Sequence, residues 1–359
     1  MSKFHPLTIH RLERETRDAV AITFAVPPEL AEQYRYREGQ HLTLRADIDG
    51  RDVRRSYSIC SAAQDGELRI AIKRNPGGLF SNWANDRLKA GDALDVMPPL
   101  GHFNVALDPA NRRHYLGFAA GSGITPLLSI VKTTLAAEPE SDFTLFYGNR
   151  ASATVMFKEE LAALKDANLA RFNLVHVLSR EAQDIELLHG RIDREKADAL
   201  LRHWVDLDDV DTAFVCGPDG MMTAVAAALA AHGFPEAKIR IERFATSIPH
   251  HEHRPHAVEP GHAQCEVTVV IDGATRTFML DKATENIVDA ALRNGIELPY
   301  SCKGGVCSTC RAKLVAGEVD MDANFALEDY EIARGFVLTC QSYPVTDKVV
   351  VDYDQTGMG

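Results

Sequence analysis

The sequence predicts a multidomain protein: an antiparallel β-barrel, then a doubly wound parallel α/β sheet, then a small α+β module. Three observations carry this. Short alternating runs divided by turn residues recur up to about residue 108. From Asn111 the pattern changes to apolar strands alternating with helices, as far as Phe244. Beyond residue 264 a short segment holds four of the seven cysteines. The expected domains are therefore 1–108, 109–243 and 264–359, with a linker over 244–263, in keeping with the 359-residue length.

In the first segment Leu7–His10, Ala21–Phe24, His41–Leu44 and Leu68–Ile72 read as strands, with Asp49-Gly50 and Asp65-Gly66 as turns. Regular spacing of short strands favours a barrel. Two stretches inside it carry chemistry. In Arg54-Arg55-Ser56-Tyr57-Ser58-Ile59, strand alternation puts Arg55 and Tyr57 on one face. A guanidinium beside an aromatic plane suits a ligand with a phosphate and a flat ring. Pro76-Gly77-Gly78-Leu79-Phe80-Ser81 leads into a helix expected over Ser81–Leu88. A glycine-rich helix entry offers free N–H groups to an anion. Together they predict a dinucleotide whose ring lies on Tyr57.

In the second segment Tyr115–Ala120 is a buried strand running into Gly121-Ser122-Gly123-Ile124-Thr125-Pro126 and an apolar helix over Leu127–Leu135. Thr125 is expected as N-cap and Pro126 as the first helical residue. Strands at Phe143–Tyr147, Leu174–Leu178, Thr212–Cys216 and Ile239–Phe244 alternate with helices near Phe157–Lys165, Arg194–His203 and Gly220–His232. Such a sheet binds ligands at its strand C-termini. Gly121-Ser122-Gly123 is the phosphate-cradling turn, although Pro126 stands where a third glycine would complete the usual fingerprint. Arg150 after one strand, and Ser179 with Arg180 after the next, offer cations and a hydroxyl to the ribose region. With no Asp or Glu immediately at these two strand ends, a 2′-phosphate is favoured, hence NADPH over NADH. Cys216-Gly217-Pro218 ends a further strand at the ligand edge, though a buried cysteine there is equally an ordinary core residue.

The stretch 244–263 has three prolines and five histidines and reads as a linker. The last module opens with a hairpin, Val267–Ile271 and Thr275–Phe278 about Asp272-Gly273. A helix over Thr284–Asn294, the cysteine loop, a helix over Leu327–Arg334, Phe336–Cys340 and a strand at Val349–Val351 follow. The cysteines run Cys302-x4-Cys307-x2-Cys310, with Cys340 at a distance. This is the plant-type [2Fe–2S] ligand spacing. Structural zinc, the alternative for four cysteines, ordinarily uses two separated short pairs.

Net charge is −12, which disfavours a nucleic-acid surface, and Gln264–Gly359 alone holds 15 acidic against 8 basic residues. That concentration serves solubility or steers the module toward a basic patch. No apolar run approaches a membrane span, and the opening residues do not read as a secretory leader. Cys60, Cys216 and Cys265 are left over from the cluster, an odd remainder that points to a reducing, cytoplasmic setting.

Arg55-Ser56-Tyr57-Ser58, Gly77-Gly78-Leu79-Phe80-Ser81, Gly121–Pro126 and Cys216–Pro218, in that order, resemble the ferredoxin–NADP⁺ reductase superfamily, here fused to a plant-type ferredoxin domain of β-grasp type. The resemblance implies FAD in the barrel: Arg55 on its phosphates, Tyr57 stacked on the isoalloxazine, Ser58 near N5, and Gly78, Leu79, Phe80 and Ser81 facing the pyrophosphate. It implies NADPH at Gly121, Ser122, Gly123, Thr125 and Pro126. Arg150, Ser179 and Arg180 would lie toward the 2′-phosphate, with Cys216, Gly217 and Pro218 near the nicotinamide. Phe244 would cover the second flavin face. The implied reaction is hydride transfer from NADPH to FAD, which splits the electron pair for a one-electron [2Fe–2S] cluster held by Cys302, Cys307, Cys310 and Cys340. The electrons would leave for an external di-iron oxygenase component. Alternatives are a reductase for a ring-hydroxylating dioxygenase or another monooxygenase, and, in a different class, a redox sensor or electron carrier without turnover.

Overall fold

A computed structural model describes residues 4–244, 256 and 262–355. The chain divides into two units, one principally residues 4–53 with 57–243, the other principally the chain from 244 onward. The expected linker lies almost wholly outside the described residues.

The first unit begins with β1 (His5–Thr16), β2 (Ala19–Ala25), β3 (His41–Ile48), β4 (Arg51–Ser58), β5 (Leu68–Lys73), helix α1 (Leu79–Arg87) and β6 (Ala93–Val96). The strand order is β4-β3-β6-β1-β2-β5. An Ile59–Ile70 bridge draws the two edges together, as a barrel requires. Leu7, Ile9, Val20, Ile22, Leu42, Leu44, Ile70 and Ile72 fill the interior. Helix α1 starts two residues before the expected Ser81, with Gly78 as its N-cap.

The unit continues with β7 (His114–Ala120), α2 (Ile124–Ala137), β8 (Asp142–Asn149), α3 (Lys158–Ala167), β9 (Phe172–Leu178), α4 (Arg194–Trp204), β10 (Val210–Cys216), α5 (Asp219–Ala231) and β11 (Ile239–Glu242). All four strand pairs are parallel, in the order β11-β10-β7-β8-β9. The chain order reverses at β7, so the crevice at its C-terminal end is the ligand position of this architecture. One expectation fails here. Thr125 is not an N-cap: Gly121–Gly123 forms a 3₁₀ turn that runs straight into α2, and the Thr125 hydroxyl donates to Ser122 O (3.0 Å). Pro126 lies within the first turn, where its missing N–H costs nothing.

Barrel and parallel sheet are fastened by polar contacts. Arg69 makes two hydrogen bonds to Glu160 (2.8 Å each), and Lys132 bridges Glu160 (2.8 Å) and Asp65 (2.6 Å). The crossover is held by Glu138, whose fully buried carboxylate accepts from Asp108 N (3.0 Å), Asn111 Nδ2 (2.6 Å), Tyr115 OH (3.0 Å) and Ser141 Oγ (2.7 Å). Burial opposes its ionisation, but these four donors together hold the carboxyl below the usual range.

The second unit comprises β12 (Gln264–Ile271), β13 (Ala274–Asp281), α6 (Ile287–Arg293), β14 (Arg311–Ala316), β15 (Val319–Met321), α7 (Asp329–Ala333), β16 (Phe336–Leu338), β17 (Ser342–Pro344) and β18 (Lys348–Asp352). The main sheet runs β13-β12-β18-β14-β16, with β12 and β18 parallel. Helix α6 starts later than expected because Asn286 caps it, accepting from Asp289 N (2.9 Å). Helix α7 is likewise shorter at both ends than the apolar pattern predicts. No helix among the described residues is long and apolar enough to cross a membrane.

Candidate functional site

In the first unit, β10 and β11 pair Cys216 with Glu242. Ser58, the last residue of β4, donates its hydroxyl to Glu242 Oε2 (3.0 Å). Burial pushes the Glu242 carboxyl up to about 8, an effect the Ser58 hydrogen bond only moderates. The Cys216 thiol is also pushed up, by burial and by the Glu242 charge, so it is no thiolate nucleophile. Three polar groups from three strands thus meet beside the Gly121–Gly123 turn. The turn is built for close approach: a Cβ on Gly123 would sit 2.1 Å from Cys216 O. Gly123→Ala should therefore destabilise the chain by about 1–3 kcal/mol, the usual cost of overpacking, read as a lower thermal midpoint. Tyr147, fully buried, steadies the same turn through its hydroxyl, which donates to Gly121 O (3.0 Å).

Tyr57 is half-buried and meets the buried Phe80 ring at 5.7 Å, while Arg55 is exposed two residues earlier in β4. Helix α1 begins at Leu79 without a side-chain cap on its N–H groups. Ser81 Oγ instead accepts from Asn75 N (3.1 Å), fixing the loop ahead of the helix. An aromatic face, a guanidinium and an uncapped helix start form a donor set suited to a flavin ring and its phosphates. Gly217 and Pro218 follow Cys216 and lead into α5. Arg243 is ion-paired with Asp219, and Phe244 is half-buried.

At the nucleotide end, Arg150 and Arg180 are exposed, and no hydrogen bond or ion pair engages either side chain among the described residues. Ser179 N donates to Asn149 O (2.9 Å) and Arg180 N to Arg150 O (2.7 Å), so the two strand ends stay in register. Three residues escaped the sequence reading. Glu242 lies two residues before Phe244 and closes β11. Lys73 closes β5, with its Nζ 3.5 Å from where a side chain on Gly121 would begin. Burial and the Arg150 charge hold its ammonium below the usual range. Glu181 follows Arg180, and its carboxylate accepts from Ser152 N (2.7 Å) and from Ser152 Oγ (2.8 Å). Their common signal was position just after, or at the end of, a strand at the ligand edge.

In the second unit Cys307, Cys310 and Cys340 are buried and Cys302 is half-buried. Gly304 N–H points at Cys302 Sγ (3.3 Å), and Gln341 Nε2 approaches Cys340 Sγ (3.7 Å). Gly305 has φ +75°, and a Cβ there would lie 2.7 Å from Ala323 O. Thr339 Oγ1 donates to Cys310 O (2.8 Å), tying the segment before Cys340 to the loop. Three thiols from one loop and a fourth from Cys340, with the Gly304 N–H aimed at sulfur, fit a cluster that needs thiolate ligands and hydrogen bonds to sulfur.

Residues 6–105 match the oxidoreductase FAD-binding domain family, 118–227 the oxidoreductase NAD-binding domain and 269–345 the 2Fe-2S iron-sulfur cluster binding domain. The chain is 48% identical over 358 residues to a subunit of the 1,2-phenylacetyl-CoA epoxidase of Escherichia coli (strain K12), covering 100% of both chains. The chain belongs to this family of oxygenase reductases. It is also 34% identical over 354 residues to the 3-ketosteroid-9-alpha-monooxygenase ferredoxin reductase component of Rhodococcus rhodochrous, covering 97% of this chain and 96% of that one. The fold is shared with phthalate dioxygenase reductase at TM-score 0.58 and 23% identity, over 97% and 98% of the two chains. It is also shared with an intact type IV self-sufficient cytochrome P450 monooxygenase at TM-score 0.68 and 21% identity, over 97% and 41%. As an oxygenase reductase the chain is an oxidoreductase with FAD, a pyridine nucleotide and a [2Fe–2S] cluster as its cofactors.

Proposed function

We propose that this reductase passes electrons from NADPH through FAD and the [2Fe–2S] cluster to a di-iron oxygenase component that epoxidises phenylacetyl-CoA. The observation that carries the reading is the full-length 48% identity to the epoxidase component, spanning all three cofactor domains. Bound FAD supplies the conversion of a two-electron hydride donor into a one-electron source. The chain's own residues do the rest. Tyr57 and the α1 N-terminus orient the flavin, with Arg55 on its phosphates. Lys73 and the Gly121–Gly123 turn receive the nucleotide phosphates. Ser58 and Glu242 hold a proton beside the reacting ring, and buried Cys216 excludes water there. Cys302, Cys307, Cys310 and Cys340 hold the cluster.

The domain limits proposed are 1–108, 109–243 and 264–359. A cytoplasmic location is in keeping with seven cysteines, none of which forms a disulfide. Reconstitution with the epoxidase's oxygenase components tests the reading. NADPH-dependent consumption of phenylacetyl-CoA is expected, and turnover only with a ring-hydroxylating dioxygenase component would replace it.

The nucleotide choice rests on Arg150 and Arg180. A charge-assisted hydrogen bond contributes roughly 1.5–3 kcal/mol. Arg150→Ala should therefore lower kcat/KM for NADPH by about one to two decades and leave that for NADH nearly unchanged. Equal losses with both nucleotides would refute the assignment.

A further inference from the structure

Glu181 is the one carboxylate in the Ser179–Glu181 turn, beside two arginines, yet it pairs with neither. Its Oε2 takes the Ser152 N–H (2.7 Å), and the Ser152 hydroxyl reaches both oxygens (3.0 and 2.8 Å). These bonds, with a lesser contribution from Lys158, hold the carboxyl below the usual range. The acid is thus committed to the loop after β8. That loop carries Arg150, and its turn is closed by Thr154 Oγ1 donating to Ala151 O (2.7 Å). The backbone bonds Ser179 N to Asn149 O and Arg180 N to Arg150 O complete a three-rung ladder between the two loops.

Two consequences follow. The ladder fixes the spacing of the Arg150 and Arg180 backbones, which lowers the cost of bringing both guanidinium groups to one anion. A carboxylate that would otherwise neutralise one of them, or accept from a ribose 2′-hydroxyl, is occupied elsewhere. We propose that the Glu181–Ser152 clamp is a positioning device for nucleotide selection, holding Arg150 and Arg180 apart from any acid and ready for an adenosine 2′-phosphate. The proposal rests on the NADPH reading above. It assigns Glu181 no contact with the nucleotide. Its role is fulfilled by hydrogen-bonding geometry, so an amide should substitute for the acid: Gln accepts from Ser152 N and donates to Ser152 Oγ.

The test is calorimetric binding of 2′,5′-ADP and of 5′-AMP to the full holoprotein, with NADPH and NADH steady-state kinetics alongside. In the wild type 2′,5′-ADP should bind at least about tenfold tighter than 5′-AMP, as one charge-assisted contact gives. Glu181→Ala should lose about tenfold in 2′,5′-ADP affinity and under twofold in 5′-AMP affinity. It should raise KM for NADPH while kcat holds. Glu181→Gln should restore the wild-type preference. A wild type without preference overturns the NADPH reading and this proposal together. A wild type with the preference overturns the clamp alone if Glu181→Ala retains it, if both ligands weaken equally, or if the Gln variant behaves as the Ala variant.

Discussion

Cys340→Ser is expected to lower NADPH-driven cytochrome c reduction by at least about a hundredfold. Loss of an outer-shell partner alone can cost 10–100-fold in metal affinity, and Cys340 would be a ligand itself. The visible cluster absorption should vanish or shift while the flavin bands remain, and ferricyanide, which takes electrons from the flavin, should still be reduced. The reason is local. Cys340 comes from a segment 30 residues beyond Cys310, held to the loop by Thr339 Oγ1 donating to Cys310 O. Its loss would leave the cluster one thiolate short, since the loop itself supplies only Cys302, Cys307 and Cys310. Unchanged cluster absorption in the variant would remove Cys340 from the ligand set.

Glu242→Gln should slow reduction of the flavin by NADPH by about a hundredfold, the lower range for loss of a positioned acid or base. With its carboxyl near 8, Glu242 is protonated at neutral pH and ionises above that. Wild-type activity should then fall as pH rises through about 8, and the variant should lose that limb. Stability carries the same sign. The folded value lies above the ordinary 4.5, so between about 4.5 and 8 the folded chain binds more protons than the unfolded one. The Glu242 contribution is complete below that window and is lost as pH rises across it. At pH 9 the Gln variant, which has nothing to ionise, should be the more stable by a few kcal/mol. A pH profile for stopped-flow flavin reduction that is the same in both proteins would remove Glu242 from proton handling.

The fold was legible where chemistry forces a local pattern. Period-two runs marked β1, β2, β3 and β5, and buried runs marked β7 to β10, because one or both faces of each strand are covered. The cysteine spacing and Gly121-Ser122-Gly123 were legible because few other residues meet those geometric demands. Ends were less so. Thr125 and Pro126 looked like a cap and a first helical residue, but the 3₁₀ turn before them already supplies helical geometry. Asn286, two residues inside the expected helix, won the start of α6 by bonding Asp289 N. Glu242, Lys73 and Glu181 could not be read in advance, since each depends on register between strands distant in sequence. A lysine closing β5 gains meaning only once Gly121 is placed 48 residues on.

Glu138 gives the molecule an engineering logic. A single acid that receives the backbone of Asp108 and the side chains of Asn111, Tyr115 and Ser141 makes the passage from barrel to parallel sheet a weld. Barrel and parallel sheet therefore stand as one compact unit. The four-cysteine module follows a proline- and histidine-rich stretch in the sequence.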